Sequence, residues 1–204
     1  MDLAFYITTF VTLFVVIDPI GLAPLFVALT KGMTPQRRRA IGLRALLISA
    51  ALLTLFGFFG EAVLGFIGIS MPAFQIAGGI LLFLTALDML FERRTQRRQG
   101  QAAEHADDPS VFPLATPLIA GPGAIATMIL LTGQTGGDLG AMVMIHLVLG
   151  AVLLVTLGLF LAAPVLERLL GDVGVNVVTR LLGMLLAALS VQFVVDGVRA
   201  LIAA

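Results

Sequence analysis

The sequence predicts an all-α, polytopic membrane protein of six transmembrane helices, and three observations carry that fold class. Hydrophobic residues make up 59% of the 204 positions and charged residues only 12%, with a mean hydropathy of +1.09. A water-soluble domain carries about twice that share of charge on its surface. Apolar stretches recur at the length of about 20 residues that a helix needs to cross a hydrocarbon core. Lys and Arg, finally, gather in alternate connections, as they do when cytoplasmic loops hold the positive charge.

Each span follows from the run that defines it. Residues 3 to 30 contain a single charge, Asp18, and form the first span. The preceding Met1-Asp2-Leu3 has no basic region and the apolar run is too long for a cleaved leader, so this segment is expected to stay in the membrane. Residues 35 to 60 turn apolar after a basic start, and a Ser70-Met71-Pro72 break introduces a third span over 72 to 91. The long polar connection, ERRTQRRQGQAAEHADDPSV, occupies 92 to 111. Beyond it lie spans over 112 to 132, over 139 to 165 with His146 inside, and over 175 to 202 with Arg180, Asp196 and Arg199. The chain therefore reads as one transmembrane domain, 1–204, composed of a first half (1–91), a cytoplasmic loop (92–111) and a second half (112–204).

Orientation follows from the basic residues. Lys31, Arg37, Arg38, Arg39, Arg93, Arg94, Arg97, Arg98 and Arg168 all fall after odd-numbered spans, and none falls after spans two or four. Those odd connections are expected in the cytoplasm and both termini on the opposite side. The paired arginines at 93 to 94 and 97 to 98 also suit anionic lipid, although anchoring accounts for them.

Several classes are excluded. Net charge is zero, so nucleic acid is not an expected partner, and the absence of Cys removes disulfides, thiolate metal sites and thiol nucleophiles. Neither H-E-x-x-H nor G-x-S-x-G occurs, and no catalytic residue, metal or cofactor is expected; the chain does not read as an enzyme. Gly121-Pro122-Gly123-Ala124-Ile125-Ala126 fits a dinucleotide pattern, but no strand precedes it.

The two halves resemble each other. At an offset of about 102, Ile17, Gly21, Leu29 and Thr30 fall against Ile119, Gly123, Leu131 and Thr132, and Arg44 falls against His146. Three spans per half would make the second copy enter from the opposite face, as inverted repeats do in secondary transporters. Chance recurrence of Gly and Leu in apolar sequence is the competing explanation.

Spans one and four are expected to be broken. The first reads Val16-Ile17-Asp18-Pro19-Ile20-Gly21, and the fourth Pro117-Leu118-Ile119-Ala120-Gly121-Pro122-Gly123. Pro removes a backbone donor and Gly permits the dihedrals of an interruption, so second half-helices should begin at Pro19 and Pro122. Their free N–H groups would offer an anion site at the midplane. Asp18 adds the opposite charge to one break, either as an N-cap alone or also as a proton or ammonium site. Gly121 and Gly123 present bare amides at the other. A small zwitterionic solute fits that pair, with Asp18, Pro19, Gly21, Gly121, Pro122 and Gly123 as its binding residues.

Three further residues are candidates. Arg44, roughly 13 Å into its helix, binds a carboxylate or snorkels to the headgroups. His146, like Asp18, is a candidate for proton coupling, with ordinary packing as the competing reading. Gln192 hydrogen-bonds the solute or a neighbouring helix.

Asp18-Pro19-Ile20-Gly21, the run from Pro113 to Ile125 and Leu189-Ser190-Val191-Gln192-Phe193 resemble the MarC family, also described as the SnatA-type small neutral amino acid transporters, over essentially the whole chain. The resemblance implies a bacterial inner-membrane protein, distantly similar to LysE-type exporters, that carries glycine- or alanine-like solutes. No Walker motif is present, so a solute or ion gradient would drive transport, with proton coupling through Asp18 one way to do so. A non-transporting membrane protein that affects envelope function or stress and antibiotic tolerance is the alternative. The lipid bilayer and the solute are the expected partners, and a homo-oligomer is left open.

Overall fold

The computed structural model describes residues 2–91, 93 and 108–203, and the described residues are helical with short connections. We number the elements α1 (Leu3–Ile17), α2 (Pro19–Leu29), α3 (Pro35–Phe66), α4 (Met71–Leu90), α5 (Ser110–Ile119), α6 (Pro122–Gly133), α7 (Leu139–Val165) and α8 (Val173–Ala203). Most of the loop predicted over 92 to 111, with Arg94, Arg97 and Arg98, lies outside the described residues.

Local chemistry starts most of these helices. Asp2 accepts from the Phe5 amide at 3.0 Å, Thr34 caps α3 ahead of Pro35, and Ser70 caps α4 ahead of Pro72. Such oxygens satisfy donors that a helix start otherwise leaves exposed to hydrocarbon. Asp138 Oδ1 accepts from Gly140 at the start of α7. Between α7 and α8 the chain stays helical except at Gly171, whose φ of +57° and ψ of −179° suit only glycine.

Five helical segments among the described residues are long and apolar enough to cross a membrane, and six if the bent pair α5–α6 counts as one span. The chain is thus all-α and multi-pass, as the sequence predicts. Two boundaries differ from expectation. α3 runs to Phe66 rather than residue 60, because nothing in Glu61-Ala62-Val63-Leu64 stops a helix. The first half of span four is not a regular α-helix at all. Pro113 and Pro117 disfavour helical dihedrals in the residue before each, and Phe112 and Thr116 are indeed extended. The carbonyls of Pro109 and Ala115 are reached instead from five residues on, by Leu114 at 3.1 Å and Ala120 at 2.8 Å.

Packing puts the broken elements inside. Ala126 through Thr132 of α6 are all buried, as are Val15 through Pro19 at the junction of α1 and α2. By contrast, Phe66, Leu147, Leu154, Leu161, Leu181 and Leu185 face outward, as lipid contacts must. Glycines let α4 and α8 approach backbone to backbone. A Cβ on Gly79 would lie 2.8 Å from the Ser190 carbonyl oxygen, and one on Gly197 would lie 3.0 Å from that of Pro72. Small residues at such contacts drive helix association where lipid removes the hydrophobic incentive. On the other side Phe26 of α2 stacks on Phe160 of α7 at 4.5 Å. Irregular backbone at membrane depth persists only when protein encloses it, and this arrangement encloses it.

Candidate functional site

The first break is made by one residue. Asp18 ends α1 in the left-handed conformation, φ +56° and ψ 60°, and is fully buried. Asp and Asn are the non-glycine residues that adopt this conformation with least strain. Its N–H still donates to the Phe14 carbonyl at 2.9 Å and its carbonyl accepts from Leu22 at 3.0 Å, so the hydrogen-bond ladder is barely interrupted. Pro19 follows as the first residue of α2, and Asp18 Oδ1 accepts from the Gly21 amide at 3.1 Å. Gly21 is required by that curl, since a Cβ there would collide with the Asp18 carboxylate.

The second break has no such side chain. Ala120 and Gly121 separate α5 from α6, and the two helices meet at 55°. Gly121 is the N-cap of α6 without a capping oxygen, and Pro122 takes the first helical position. A side chain on Gly121 would run into the Pro117 carbonyl oxygen, so only glycine lets the chain double back here. The first intrahelical bond is Ile125 N–H to the Gly121 carbonyl at 3.0 Å. The amides of Gly123 and Ala124, second and third in the helix, are therefore left without an intrahelical acceptor. The helix dipole adds partial positive charge at the same end.

The two breaks meet. A Cβ on Gly123 would lie 3.3 Å from Leu82 and 3.8 Å from Thr85 Oγ1 of α4, and 3.6 Å from Val16, two residues before Asp18. Restarts at Pro19 and Pro122 are where the sequence predicts them. What the arrangement offers chemically is a carboxylate on one side and uncapped amides on the other, inside the protein. Among the described residues no group of three or more His, Asp or Glu could hold a metal ion.

The structure places Arg44, His146 and Gln192 elsewhere. Arg44 lies at the polar end of α3 and pairs with Asp108 at 2.7 Å, both side chains largely exposed. With Arg37, Ala40 and Ile41 they border a hollow of about 210 Å³. Hydrogen bonding from Ser110 and the positive charge of Arg44 and Arg37 hold the Asp108 carboxyl below its ordinary value of 3.8. His146 stacks on Phe58 at 4.5 Å, with Nδ1 2.7 Å from the Met142 carbonyl and Nε2 turned to Gly57. Gln192 donates to Asp196 at 2.8 Å on the exposed side of α8. There it borders an apolar groove of about 420 Å³ with Ile7, Val11 and Leu185.

Sequence reasoning passed over the hydroxyls. Thr12 of α1 and Thr127 of α6 are buried within about 10 Å of the breaks along their helices, Thr9 is buried a turn beyond Thr12, and Thr85 faces Gly123. Their signal was present as Thr at i and i+3 in an otherwise apolar run, which puts both on one face of a helix.

Comparison with known proteins agrees with this architecture. A family model described as MarC family integral membrane protein matches residues 3–202. A UPF0056 membrane protein of Methanocaldococcus jannaschii is 37% identical over 98% of both chains. The UPF0056 inner membrane protein YhgN of Escherichia coli K12 is 39% identical over 95% of each, and a UPF0056 membrane protein of Archaeoglobus fulgidus is 38% identical over 96% of this chain and 92% of its own. No solved structure gives a significant match.

Proposed function

The chain belongs to the MarC family of integral membrane proteins, and from that premise we propose that it is a secondary transporter of small neutral amino acids, not an enzyme. One observation carries the reading: two interrupted helices are packed against each other at Val16 and Gly123, one ending in a buried carboxylate and the other in uncapped amides. A free amino acid has the complementary charges. Its carboxylate suits the Gly123 and Ala124 amides, where an anion gains about 0.3–2 kcal/mol from the helix end, and its ammonium suits Asp18.

Size selectivity follows from the same contacts. Leu82, Val16 and Thr85 stand 3.3 to 3.8 Å from where a Cβ on Gly123 would lie, so the two halves must part to admit a solute, and glycine or alanine needs a smaller opening than a branched or aromatic amino acid. Transport then needs the two halves to rock about this point, opening it to one face at a time. Proton coupling through Asp18 belongs to this proposal, as do an inner-membrane location in bacteria and termini on the side away from the cytoplasm.

Reconstituted protein should move labelled glycine or alanine across liposome membranes faster than empty vesicles do. Asp18→Asn should slow that flux at least about tenfold, which is the effect of losing one charge-assisted contact of roughly 1.4 kcal/mol or more. Flux no faster than in empty vesicles would remove the carrier reading and favour the non-transporting alternative; undiminished flux in the variant would remove only Asp18.

A further inference from the structure

Hydroxyls buried in helices ordinarily turn back to a carbonyl three or four residues earlier. Thr30, Ser49, Thr85, Thr132, Thr156 and Ser190 all do so here, at 2.7 to 3.0 Å. Thr9 and Thr127 do not. Both are fully buried and neither hydroxyl has a hydrogen-bond partner. An unsatisfied buried hydroxyl costs about 1–3 kcal/mol, and a valine would fill the same space without that cost. Packing alone therefore gives no reason for threonine at either place.

Their location supplies one. Thr9, Thr12 and Val16 stand at i, i+3 and i+7 on one face of α1, and Gly123 and Thr127 at i and i+4 on one face of α6. Val16 and Gly123 are where those faces meet. The two helices run in opposite directions. Short turns at 30 to 34 and 67 to 70 make α4 run with α1, and the contacts of Gly78 with Leu130 and of Gly123 with Leu82 set α6 against α4. One turn from the breaks, Thr12 thus comes opposite Thr127, and Thr9 follows a turn later. Three threonines form a polar seam leading from the midplane to the membrane face that holds the N-terminus. The other buried side-chain atoms without a partner among the described residues, Ser110 Oγ, Thr179 Oγ1 and His146 Nε2, belong to other helices.

We propose that this seam is one limb of the solute path, and that the Thr127 and Thr9 hydroxyls hydrogen-bond the carboxylate and ammonium of the amino acid as it travels between the breaks and that face. The proposal rests on the carrier reading above. A hydroxyl both donates and accepts, so a single threonine serves either end of a zwitterion. A hydroxyl with no partner inside the protein is available to a passing solute.

Thr127→Val and Thr9→Val separate this from a structural role. In proteoliposomes each should raise the KM for glycine about tenfold while leaving thermal stability equal to or above wild type, and Thr127→Ser and Thr9→Ser should restore the KM. Valine variants with wild-type KM, alongside a defective Asp18→Asn, overturn the seam and leave the carrier intact; valine variants that unfold earlier also overturn it, by making the hydroxyl structural. A wild-type protein that moves no glycine overturns both. The chain has no Cys, which permits a second measurement. Thr127→Cys and Thr9→Cys should react with a water-soluble maleimide and be protected by glycine, whereas Thr132→Cys, whose position carries an internally bonded hydroxyl, should stay unlabelled. Failure of both to react would overturn the path.

Discussion

The two helix breaks sit side by side yet solve the same problem differently. At Asp18 the chain supplies its own anion: the carboxylate folds over the Gly21 amide, and Pro19 has no amide to satisfy. Residues 3 to 29 remain a single span. At Gly121 there is no side chain to cap anything, the helices bend by 55°, and two amides lack an intrahelical acceptor. One break is nearly complete without a guest and the other is not. That asymmetry suits a zwitterion better than two equivalent positive helix ends would, because each end of the solute meets the opposite sign.

The comparison breaks most sharply at Gly121. Gly121→Ala places a methyl group against the Pro117 carbonyl oxygen, so backbone must shift, at a cost of about 2–3 kcal/mol. Thermal unfolding in detergent should register it as a clear fall in Tm. Gly123→Ala, with its nearest neighbour at 3.3 Å, should unfold close to wild type while losing glycine flux. Equal stability of the two variants would mean that the bend does not depend on that carbonyl.

The first break should respond to chemistry rather than to volume. Asp18→Ala removes both the capping oxygen and the residue's tolerance of left-handed backbone, and should cost about 1–2 kcal/mol. Asp18→Asn keeps both and should cost less than about 0.5 kcal/mol, so that its transport defect reports charge alone. Gly21→Ala belongs between them, since its methyl evicts the carboxylate without removing it. Were alanine and asparagine at position 18 equally stable, capping would not be what holds this junction.

Much of this was legible in the sequence because it depends on local chemistry. Asp-Pro and Gly-Pro favour helix starts through local chemistry, and a charge-free run of 20 residues has few solvents open to it, so restarts at Pro19 and Pro122 and the spans themselves could be read off. The irregular α5 was legible too, but unread. Phe112-Pro113 and Thr116-Pro117 are each a bias against helix in the preceding residue, and two of them four residues apart dismantle the regular ladder. What could not be read was rotation. Whether Gln192, His146 and Arg44 face the breaks depends on which side of each helix packs inward. Gln192 lies on the outward face, His146 is held by Phe58 and Gly57, and Arg44 is drawn to Asp108, a residue 64 positions away.

That last contact provides the smallest test of the comparison. Only the second break has its polar flank tied, among the described contacts, by an ion pair between α3 and the residue that precedes α5. Asp108→Asn removes the charge while keeping a side-chain oxygen that accepts from the Ser110 amide, as Asp108 Oδ1 does at 3.0 Å in the native protein. Because both partners are well exposed, the loss should be about 0.5 kcal/mol or less and should fade at high salt. Its pH dependence has a defined sign. The Asp108 carboxyl titrates below 3.8 in the folded protein, so its contribution is complete above that value and is lost as the pH falls through the lower folded value. The gap in Tm between wild type and Asp108→Asn should therefore be present at neutral pH and close at the acid end. A gap that instead widened on acidification, or one as large as that of Gly121→Ala, would mean the bend is held from its polar flank and not by the glycine at its corner.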